Sequence, residues 1–568
     1  MLKFYDFEVF KHDWMTVVID PESKSETVIH NDKEALADLY YGCRDKTVWV
    51  GYNNRRYDQY IMRGIVAGFD PKEVNDWIIR DGRHGWQFSH LLGHYPMHNY
   101  DVMPNPPVSL KTLEGFMGAS IEETSVPFDV DRPLTEAEVA ATVAYCRYDV
   151  QKTMDVFLET YERFESVVAL IKMFGLPLSC VGKTDAQLVA EILGCRKIER
   201  YDEWDLRVLD CIRLEKHAGV ADWFMDPLNQ DYSCHLDTEV AGCPHRFGWG
   251  GVHGALPKYH SEGCLLHVDV TSYYPSLLIK HGLVTRSATM PERYEGIYDE
   301  RVRYKGLGMK KEQLPLKRAL NAITGAEKDP YNKAYDPRNN NLMCVNGQLM
   351  LLDLMERLEG LCTLVQSNTD GLIIEIDDTD EAFYRVDDAC AEWESRTGMR
   401  LALDQIREIW QKDVNNYIWI DGDGGMERKG AYVKELGPLD NDLPVVNRAV
   451  VDAITRGVPP EQTVYEAADL IDFQKIVKVS SKYLYGWHNG ERLAEKTFRV
   501  FASTCPEDTF IGKVKSEGGK PEKFANTPDH CFIDNGEMGG LPAEDPLLDR
   551  DWYVDLAEKR LEDYGVAL

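Results

Sequence analysis

The chain has 568 residues, a formal net charge of −31, and 44% hydrophobic and 28% charged residues. This length suits about three or four domains, and the composition excludes a disordered or fibrous chain. No segment approaches the ~18 consecutive apolar residues of a membrane span. The charged N-terminus, MLKFYDFEVFKHD, is unlike a signal peptide. We therefore expect a cytoplasmic protein that has no membrane partner.

The acidic charge argues against a broad basic surface for nucleic acid, although phosphate contacts depend on local rather than net potential. Motifs must therefore decide the function. The 13 cysteines form no C-x-x-C pair, which favours reduced thiols. Cysteines and histidines are frequent between residues 234 and 264, but their spacing differs from that of common zinc sites.

The N-terminal part of the chain alternates strands and helices. Strands are predicted at LKFYDFEVF, WMTVVID and TVWVGYNN, and a helix at YDQYIMRGIVAGF. A longer helix, LTEAEVAATVAYCRYDVQKTMDVFLETYERF, begins near Thr135, which is a good N-cap before an acidic first turn. Residues 166–245 are predicted to be mainly helical.

The second half begins with a glycine-rich turn, FGWGGVHG, followed by LLHVDVTSYYPSLL, a strand and a turn. LPLKRALNAITG and GQLMLLDLMERLEG predict helices, because their apolar residues are three and four apart. LVQSNTDGLIIEI predicts a hairpin with its turn at Asn368–Gly371. Further strands are predicted within 410–435, and DWYVDLAEKRLEDYG predicts a final helix.

Acidic residues recur at three places in the N-terminal part. Asp6 and Glu8 are two apart on a strand and point to one face. Asp58 follows the third strand in N-N-R-R-Y-D, and Tyr145 and Asp149 share one face of the long helix. Four converging carboxylates would repel in a core, but they suit a cage for two divalent cations.

A second acidic set lies in the C-terminal half. Asp269 ends an apolar strand, and Asp370 sits at the tip of the predicted hairpin. Two carboxylates held side by side in this way can bind two Mg²⁺ ions and a triphosphate. Between them, Lys317 and Asn321 are one helical turn apart, and Gly325 leaves room for a base pair near the backbone.

The ordered motifs D-x-E, N-x-x-Y-D and Y-x-x-x-D resemble those of DEDD-type 3′–5′ exonucleases. The resemblance implies that Tyr145 orients the attacking water and that Asn54 and Tyr57 hold the 3′ end of a single strand. Lys111, in SLKTLEGF, is a further candidate catalytic lysine, with a surface charge on a helix as the alternative. The implied metal ligands are Asp6, Glu8, Asp58 and Asp149.

The segments D-V-T-S-Y-Y-P-S, K-R-A-L-N-A-I-T-G and S-N-T-D-G resemble motifs A, B and C of family B DNA polymerases, with a layout most like bacteriophage enzymes. Asp269 and Asp370 would be the ligands of two Mg²⁺ ions, with Mn²⁺ as a substitute. Tyr274 would pack under the sugar and exclude a 2′-hydroxyl. The implied nucleotide contacts are Lys317 and Asn321, with Arg301, Arg303 and Lys305 of RVRYKG as further triphosphate contacts.

Two further segments match that family. Lys429 and Tyr432, in K-G-A-Y, resemble the lysine–tyrosine motif that holds the primer end. Gly250 and Gly251 resemble the glycine pair that links the two domains, although the usual tyrosine is replaced by Phe247 or Trp249. All four are therefore predicted to contact DNA.

The chain departs from the family pattern in three ways. Asn368 replaces the usual carboxylate two positions before Asp370, and Ala322 and Thr324 replace the serine and tyrosine of motif B. Residues 276–316 leave no room for both insertions of the protein-primed phage polymerases. We therefore do not expect a terminal protein as partner or strong strand displacement.

The predicted architecture is a multidomain α/β and α+β protein. A ribonuclease H-like exonuclease domain (1–165) precedes a helical connecting region (166–245) and a polymerase domain. The latter has a palm (246–290 and 340–430), short fingers (291–339), and a thumb with the C-terminal region (431–568).

The predicted thumb contains the most basic stretch of the chain. Residues 475–523 carry ten basic and six acidic side chains, interleaved with Tyr483, Tyr485 and Trp487. We expect this stretch to grip duplex DNA, with Lys478 and Lys482 among the contacts. An ordinary solvated surface is the alternative.

The resemblance as a whole implies template-directed DNA synthesis with 3′–5′ proofreading, in the replication of a phage genome. The expected partners are primer–template DNA, deoxynucleoside triphosphates and other replisome proteins, in the cytoplasm of a host cell. Two alternatives remain: an exonuclease whose polymerase half has decayed, suggested by Asn368, and a replisome scaffold without activity.

Overall fold

A computed structural model describes residues 1–566. The protein is a mixed α/β multidomain chain whose contacts define two compact units. Unit 1 comprises Met1–Gly182, Leu436–Val446 and Glu461–Asp555, and unit 2 comprises Lys183–Glu435, Asn447–Pro460 and the chain from Leu556 onward. No helix among the described residues is long and apolar enough to cross a membrane.

The helices, in chain order, are α1 (Lys33–Cys43), α2 (Asp58–Val66), α3 (Pro71–Asn75), α4 (Leu110–Phe116), α5 (Glu136–Glu159), α6 (Tyr161–Phe174), α7 (Asp185–Ile192), α8 (Ala218–Met225), α9 (Tyr273–Lys280), α10 (Glu292–Gly306), α11 (Lys310–Lys328), α12 (Pro337–Leu358), α13 (Asp380–Thr397), α14 (Pro444–Arg456), α15 (Pro460–Glu466) and α16 (Arg550–Tyr564).

The strands, in chain order, are β1 (Leu2–Val9), β2 (Trp14–Asp20), β3 (Ser25–His30), β4 (Val48–Gly51), β5 (His98–Asp101), β6 (His235–Val240), β7 (Cys243–Gly248), β8 (His253–Ala255), β9 (Tyr259–Ser261), β10 (Cys264–Val270), β11 (Thr363–Ser367), β12 (Gly371–Ile376), β13 (Leu401–Asp413), β14 (Asn416–Asp421), β15 (Met426–Lys429), β16 (Lys475–Lys478), β17 (Tyr485–His488), β18 (Glu491–Leu493), β19 (Thr497–Ala502), β20 (Gly512–Val514), β21 (Glu522–Lys523) and β22 (Cys531–Ile533).

Unit 1 is built around a five-stranded sheet in the order β3-β2-β1-β4-β5. β1 pairs antiparallel with β2 and parallel with β4, and β4 pairs parallel with β5. Alternate residues of β1, Tyr5, Phe7 and Val9, join a core with α1 and α2. The intervening side chains Asp6 and Glu8 therefore face the side on which α5 lies.

The long helix of unit 1 begins as the sequence predicts. Thr135 caps α5 by accepting from the N–H of Glu138, whose carboxylate in turn accepts from the N–H of Thr135. This reciprocal capping box satisfies two backbone donors that no helical carbonyl reaches. It fixes the start of the helix that carries Tyr145 and Asp149.

The segment predicted as one thumb does not form one body. Residues 436–446 and 461–555 belong to unit 1, whereas 447–460 and the chain after 555 belong to unit 2. Within unit 1 this segment forms the sheets β16-β19-β22 and β18-β17-β20-β21. Composition revealed its charge but not the unit into which it folds.

Arg499 on β19 holds this segment to α4. It is fully buried and donates to the carbonyl oxygens of Gly115 (3.3 Å) and Ala119 (2.8 Å) beyond the middle of α4. It also donates to Gln474 Oε1 at 2.9 Å. Burial lowers the pKa of its guanidinium to about 10. A cation at a helix C-terminus is favourable, because the carbonyl ends of the helix are negative.

Unit 2 contains a ten-stranded sheet in the order β15-β14-β13-β10-β12-β11-β8-β7-β6, with β9 paired to β13. Its centre is apolar, with Leu265, Val365, Ile373, Ile406 and Ile409 in one cluster. β10 lies between β12 and β13 and pairs antiparallel with both. The strand that carries Asp269 is thus fixed on both sides.

The connecting region differs from its prediction. Between α7 and α8, residues 193–217 form no helix, and β6 begins at His235. Buried side chains of α12 receive this irregular chain: Asn346 Oδ1 accepts from the N–H of Leu209 at 2.8 Å, and Asp353 Oδ2 accepts from that of Arg213 at 2.8 Å. Side chains therefore replace helical hydrogen bonds as backbone partners.

Candidate active sites

The first acidic cluster forms where β1, α2 and α5 meet. One carboxylate oxygen each of Asp6 and Glu8 and the Cys146 sulfur lie within 4.8 Å of one another. Asp58, at the first position of α2, accepts from the N–H of Phe7 at 3.2 Å, between the other two acids on β1. The side chain of Asp149 on α5 is 13% exposed and completes the group.

Burial and mutual repulsion raise the pKa values of this cluster. The pKa of Asp6 rises to about 7, first because the group is buried and then because Asp149 is near. The pKa values of Glu8 and Asp58 lie well above their usual range, from burial first and then from the charge of Asp6. Burial first, and repulsion among the carboxylates second, therefore disfavour the charged forms of these groups.

The donor set fits divalent cations. Four carboxylates supply the oxygen ligands that Mg²⁺ prefers, and one lysine lies beside them. Cys146 is a different case: burial raises the pKa of its thiol well above the usual value. It stays protonated and is a hydrogen-bond partner of Asp6 rather than a ligand.

Lys111 is that lysine, and it is not a surface charge. Its ammonium donates to Asp149 Oδ1 at 2.5 Å and to Glu114 Oε1 at 3.1 Å. It lies 4.6 Å from the centre of the Tyr145 ring. Burial alone would lower the pKa of Lys111, but the two carboxylates outweigh it and raise the pKa. Lys111 is therefore a charged neighbour of the cluster.

Glu114 is a part of this site that sequence reasoning missed. It is fully buried, and burial raises its pKa to about 7 against the opposing charge of Lys111. The only sequence signal was its position three residues after Lys111, on the same face of α4.

Asn54 and Tyr57 support the loop before Asp58. Asn54 is fully buried, and its amide donates to Asn99 Oδ1 (3.0 Å) and to the Tyr100 carbonyl (3.1 Å). The Tyr57 hydroxyl donates to Asn75 at 2.7 Å. Asn54 has no exposed surface, and its hydrogen bonds hold the loop before Asp58.

The second acidic pair lies at one end of the unit 2 sheet. Asp269 on β10 is opposite Gly371 on β12, and the N–H of Val270 donates to the Asp370 carbonyl at 2.9 Å. Both aspartates line a cavity of about 390 Å³ that Asn368 and Lys429 also line. Burial first, and the charge of Asp370 as a lesser cause, raise the pKa of Asp269.

Asn368 shapes the turn that carries Asp370. Its backbone N–H donates to the Gly371 carbonyl, and its side-chain oxygen accepts from the N–H of Thr369, both at 2.9 Å. The side chain also forms a hydrogen bond with His253. An aspartate could accept the Thr369 N–H equally well.

Tyr274 is packed behind this turn. Its hydroxyl donates to the Thr369 carbonyl at 3.2 Å. A β-carbon at Gly347 would lie 3.1 Å from the ring, so α12 approaches closely only because that residue is glycine. Gly251 likewise approaches Thr369, where a β-carbon would lie 2.6 Å from the threonine methyl group. The turn is therefore held from both sides.

The predicted nucleotide contacts lie on α10 and α11. Lys317, Asn321 and Gly325 form one exposed stripe of α11, as their spacing predicts. The charge of Lys305 partly opposes the burial that raises the pKa of Asp269, so Lys305 lies near it. Arg301 donates to Ser272 at 2.5 Å.

Other predicted residues lie elsewhere. Arg303 pairs with Glu300 on the exposed side of α10, which counts against a triphosphate contact. The Tyr432 ring lies beneath Lys412 (4.9 Å) and Arg560 (4.5 Å). Gly250, Lys478 and Lys482 are exposed, the two lysines in unit 1 rather than in the unit of Asp269.

A scan against protein-family models and a search of curated proteins give no match for this chain. The two acidic sites and their surroundings are therefore the features that bear on function.

Proposed function

We propose that the chain is a template-directed DNA polymerase of family B with its own 3′–5′ proofreading exonuclease. One observation carries the proposal: two separate carboxylate groups, one in each compact unit, are formed from motifs in the order that this family requires. A structural protein gains nothing from buried like charges, because they destabilise the fold.

The sheet of unit 1 supports an exonuclease of the ribonuclease H-like type. Its order and directions place the D-x-E strand in the middle, beside its antiparallel neighbour, with α5 across one face. Unit 2 supports the polymerase half: its antiparallel sheet would be the palm, and α10 and α11 the fingers. The thumb assignment is not retained for residues 461–555.

In unit 1, Asp6, Glu8, Asp58 and Asp149 would hold two divalent cations. In unit 2, Asp269 and Asp370 would hold two more. Bound cations would supply the positive charge that makes water or a 3′-hydroxyl nucleophilic and stabilises the leaving oxygen.

The side chains around unit 1's cluster have their own tasks. The Tyr145 hydroxyl bonds to Asp149, so that it can orient a water beside the scissile phosphate. Lys111, which bonds to Asp149 and lies over the Tyr145 ring, would neutralise developing negative charge. Asn54 fixes the loop that presents Asp58.

In unit 2 the residues bind and orient the nucleotide. Lys305, Arg301, Lys317 and Asn321 would contact the triphosphate, since Lys is a good point charge for phosphate. Tyr274, fixed between Gly347 and the turn, would exclude a 2′-hydroxyl. Lys429 in the same cavity would hold the primer end.

A second candidate is an exonuclease whose polymerase half has decayed. Asn368 is the observation that favours it, because the usual carboxylate there is missing. Its side chain, however, is engaged in the turn through the Thr369 N–H, a task that needs one acceptor oxygen and no charge.

A labelled primer on a longer template, with Mg²⁺ and with or without deoxynucleoside triphosphates, tests both. We expect shortening of the primer without nucleotides and extension to the template end with them. Shortening under both conditions would favour the decayed polymerase, and an unchanged primer under both would contradict either enzyme.

A further inference from the structure

Three exposed lysines lie at or near the paired ends of β16 and β19, in the C-terminal segment of unit 1. Lys478 is the last residue of β16, Lys482 lies in the loop after β16, and Lys496 immediately precedes β19. We call these three residues the lysine surface. Lys478 lies opposite Thr497, the residue after Lys496. After burial, the charge of Lys496 is a further cause that lowers the pKa of Lys478, so the two ammonium groups lie near each other. None of the three makes an ion pair with another residue of 1–566.

Glu123 connects this surface to the first acidic cluster. Its carboxylate accepts from the backbone N–H groups of Lys496 (2.8 Å) and Thr497 (3.3 Å), and it lies near the Lys478 ammonium. Glu123 also lines a cavity of about 510 Å³, whose wall includes Tyr145 and Tyr148 of α5. The lysine surface therefore adjoins, through Glu123, a cavity that Tyr145 also lines.

The cavity has the size and lining for a nucleotide. Small-molecule sites are typically about 300–1,000 Å³, and aromatic side chains stack on nucleic-acid bases without sequence preference. The Tyr148 hydroxyl donates to the Ser120 carbonyl at 2.6 Å, which fixes its ring. The two acids of this wall are Glu122 and Glu123, and the latter is already paired with two N–H groups.

The attachment of this segment indicates which site it serves. β16 packs on α4, where a β-carbon at Gly115 would lie 2.8 Å from Ile476, and Arg499 bonds to the same helix. α4 carries Lys111, which contacts Asp149. Segment, helix and acidic cluster thus belong to one compact unit.

We propose that the lysine surface and the adjoining cavity bind single-stranded nucleic acid and lead its 3′ end to the acidic cluster, instead of gripping duplex. The phosphates lie on Lys478, Lys482 and Lys496, and a terminal base lies in the cavity against Tyr148. This inference depends on the proposed exonuclease function and names the strand track of that site. It reassigns Lys478 and Lys482 from duplex to single strand.

The test compares two double variants of the full-length protein. The first is Lys478→Ala with Lys496→Ala. The matched control, Lys33→Ala with Lys46→Ala, removes the same charge from exposed positions of unit 1 at and after α1, which packs on the opposite face of the sheet from α5. Binding is measured by fluorescence anisotropy in EDTA, with a labelled oligothymidylate of about 16 nucleotides, the upper site size of common single-strand binders, and a duplex of equal length.

The first variant should bind the single strand about tenfold more weakly than the control. Its slope of log affinity against log salt should fall by about 1.4, because each lost phosphate contact on a single strand contributes about 0.7. Duplex affinity should change less than twofold. An equal loss for duplex would overturn the proposal in favour of a duplex grip. If neither the single-strand nor the duplex affinity fell, the proposal would also be overturned, and an acidic protein would be the partner to test instead.

The binding assay contains no metal and measures no turnover. Failure of the wild-type protein to shorten the oligonucleotide in Mg²⁺ would therefore contradict the proposed function alone, while the loss of binding would still support the strand track.

Discussion

The two acidic sites differ in how completely the protein prepares them. In unit 1 four carboxylates meet a lysine, and their pKa values rise because burial and repulsion act together. In unit 2 two aspartates line an open cavity of about 390 Å³, and Lys305 comes from α10. The cluster of unit 1 is buried, and Lys111 offsets part of its negative charge. It is therefore assembled before substrate binds. Under the proposed function, the open pair in unit 2 would be completed by bound metal and nucleotide.

The largest expected effect separates the two sites. Asp58→Ala should reduce degradation of a single strand at least about 10³-fold and leave extension intact, and Asp370→Asn should do the reverse, because each change removes an oxygen ligand from one cage. Both rates are measured on one labelled primer–template at saturating nucleotide. Loss of both activities in either variant would mean that the sites are not independent.

A smaller effect is expected from Arg499→Met. It leaves several buried carbonyl oxygens without a donor, which should lower the free energy of unfolding by about 3 kcal/mol. We also expect slower degradation and unchanged extension, because α4 carries Lys111. Chemical denaturation and the two activity assays measure these effects.

The matched control is Arg492→Met, which removes an exposed arginine paired with Glu517. Exposed pairs contribute at most about 1 kcal/mol, so this control should behave as wild type. If Arg499→Met also lost extension activity, residues 461–555 would have to be assigned to the polymerase instead.

This segment marks the limit of sequence reasoning. The bond from Arg499 to Ala119 joins residues 380 positions apart, and no local pattern predicts such a contact. Charge counts revealed a basic stretch, and the family layout then suggested a thumb. Only the packing of β16 on α4 reveals the unit to which it belongs.

Local patterns were more successful. The two-residue spacing of Asp6 and Glu8 predicted a shared face, and their oxygens lie within 4.8 Å. The Thr135 cap and the hairpin at Asn368–Gly371 are also confirmed. The convergence of Asp58 and Asp149 came from family resemblance, because spacing alone does not fix the order of strands in a sheet. Glu114 was missed, since burial of an acid leaves no mark on the sequence.

The buried site of unit 1 should make the free energy of unfolding depend on pH through Glu114. The folded pKa of Glu114 is raised from 4.5 to about 7, mainly by burial. Its stabilising contribution is therefore complete below pH 4.5 and is lost as the pH rises through about 7. Between pH 4.5 and about 7, without metal, the free energy of unfolding should therefore fall less in Glu114→Gln than in wild type, by up to about 3 kcal/mol. Urea unfolding at pH 4 to 8 measures it, and parallel curves for variant and wild type would contradict the assignment.

The smallest effect is expected at Asn368, and it bears directly on the open site. If the position acts by shaping the turn, Asn368→Asp keeps the acceptor for the Thr369 N–H and should change extension less than about tenfold, because the ligands Asp269 and Asp370 are untouched. The added charge should lower the Mg²⁺ concentration needed for half-maximal extension. It should also raise the pKa of His253, which burial now lowers.

Single-nucleotide extension across a Mg²⁺ titration compares wild type, Asn368→Asp and Asn368→Ala. The alanine variant is the control that removes both the acceptor and the His253 contact. If the turn depends on that acceptor, Asn368→Ala should be the slowest of the three, because the Thr369 N–H loses its partner and Asp370 loses its fixed position. An inactive wild type restored by aspartate would show that charge, not turn geometry, is what unit 2 lacks, and the exonuclease of unit 1 would then be the one working site.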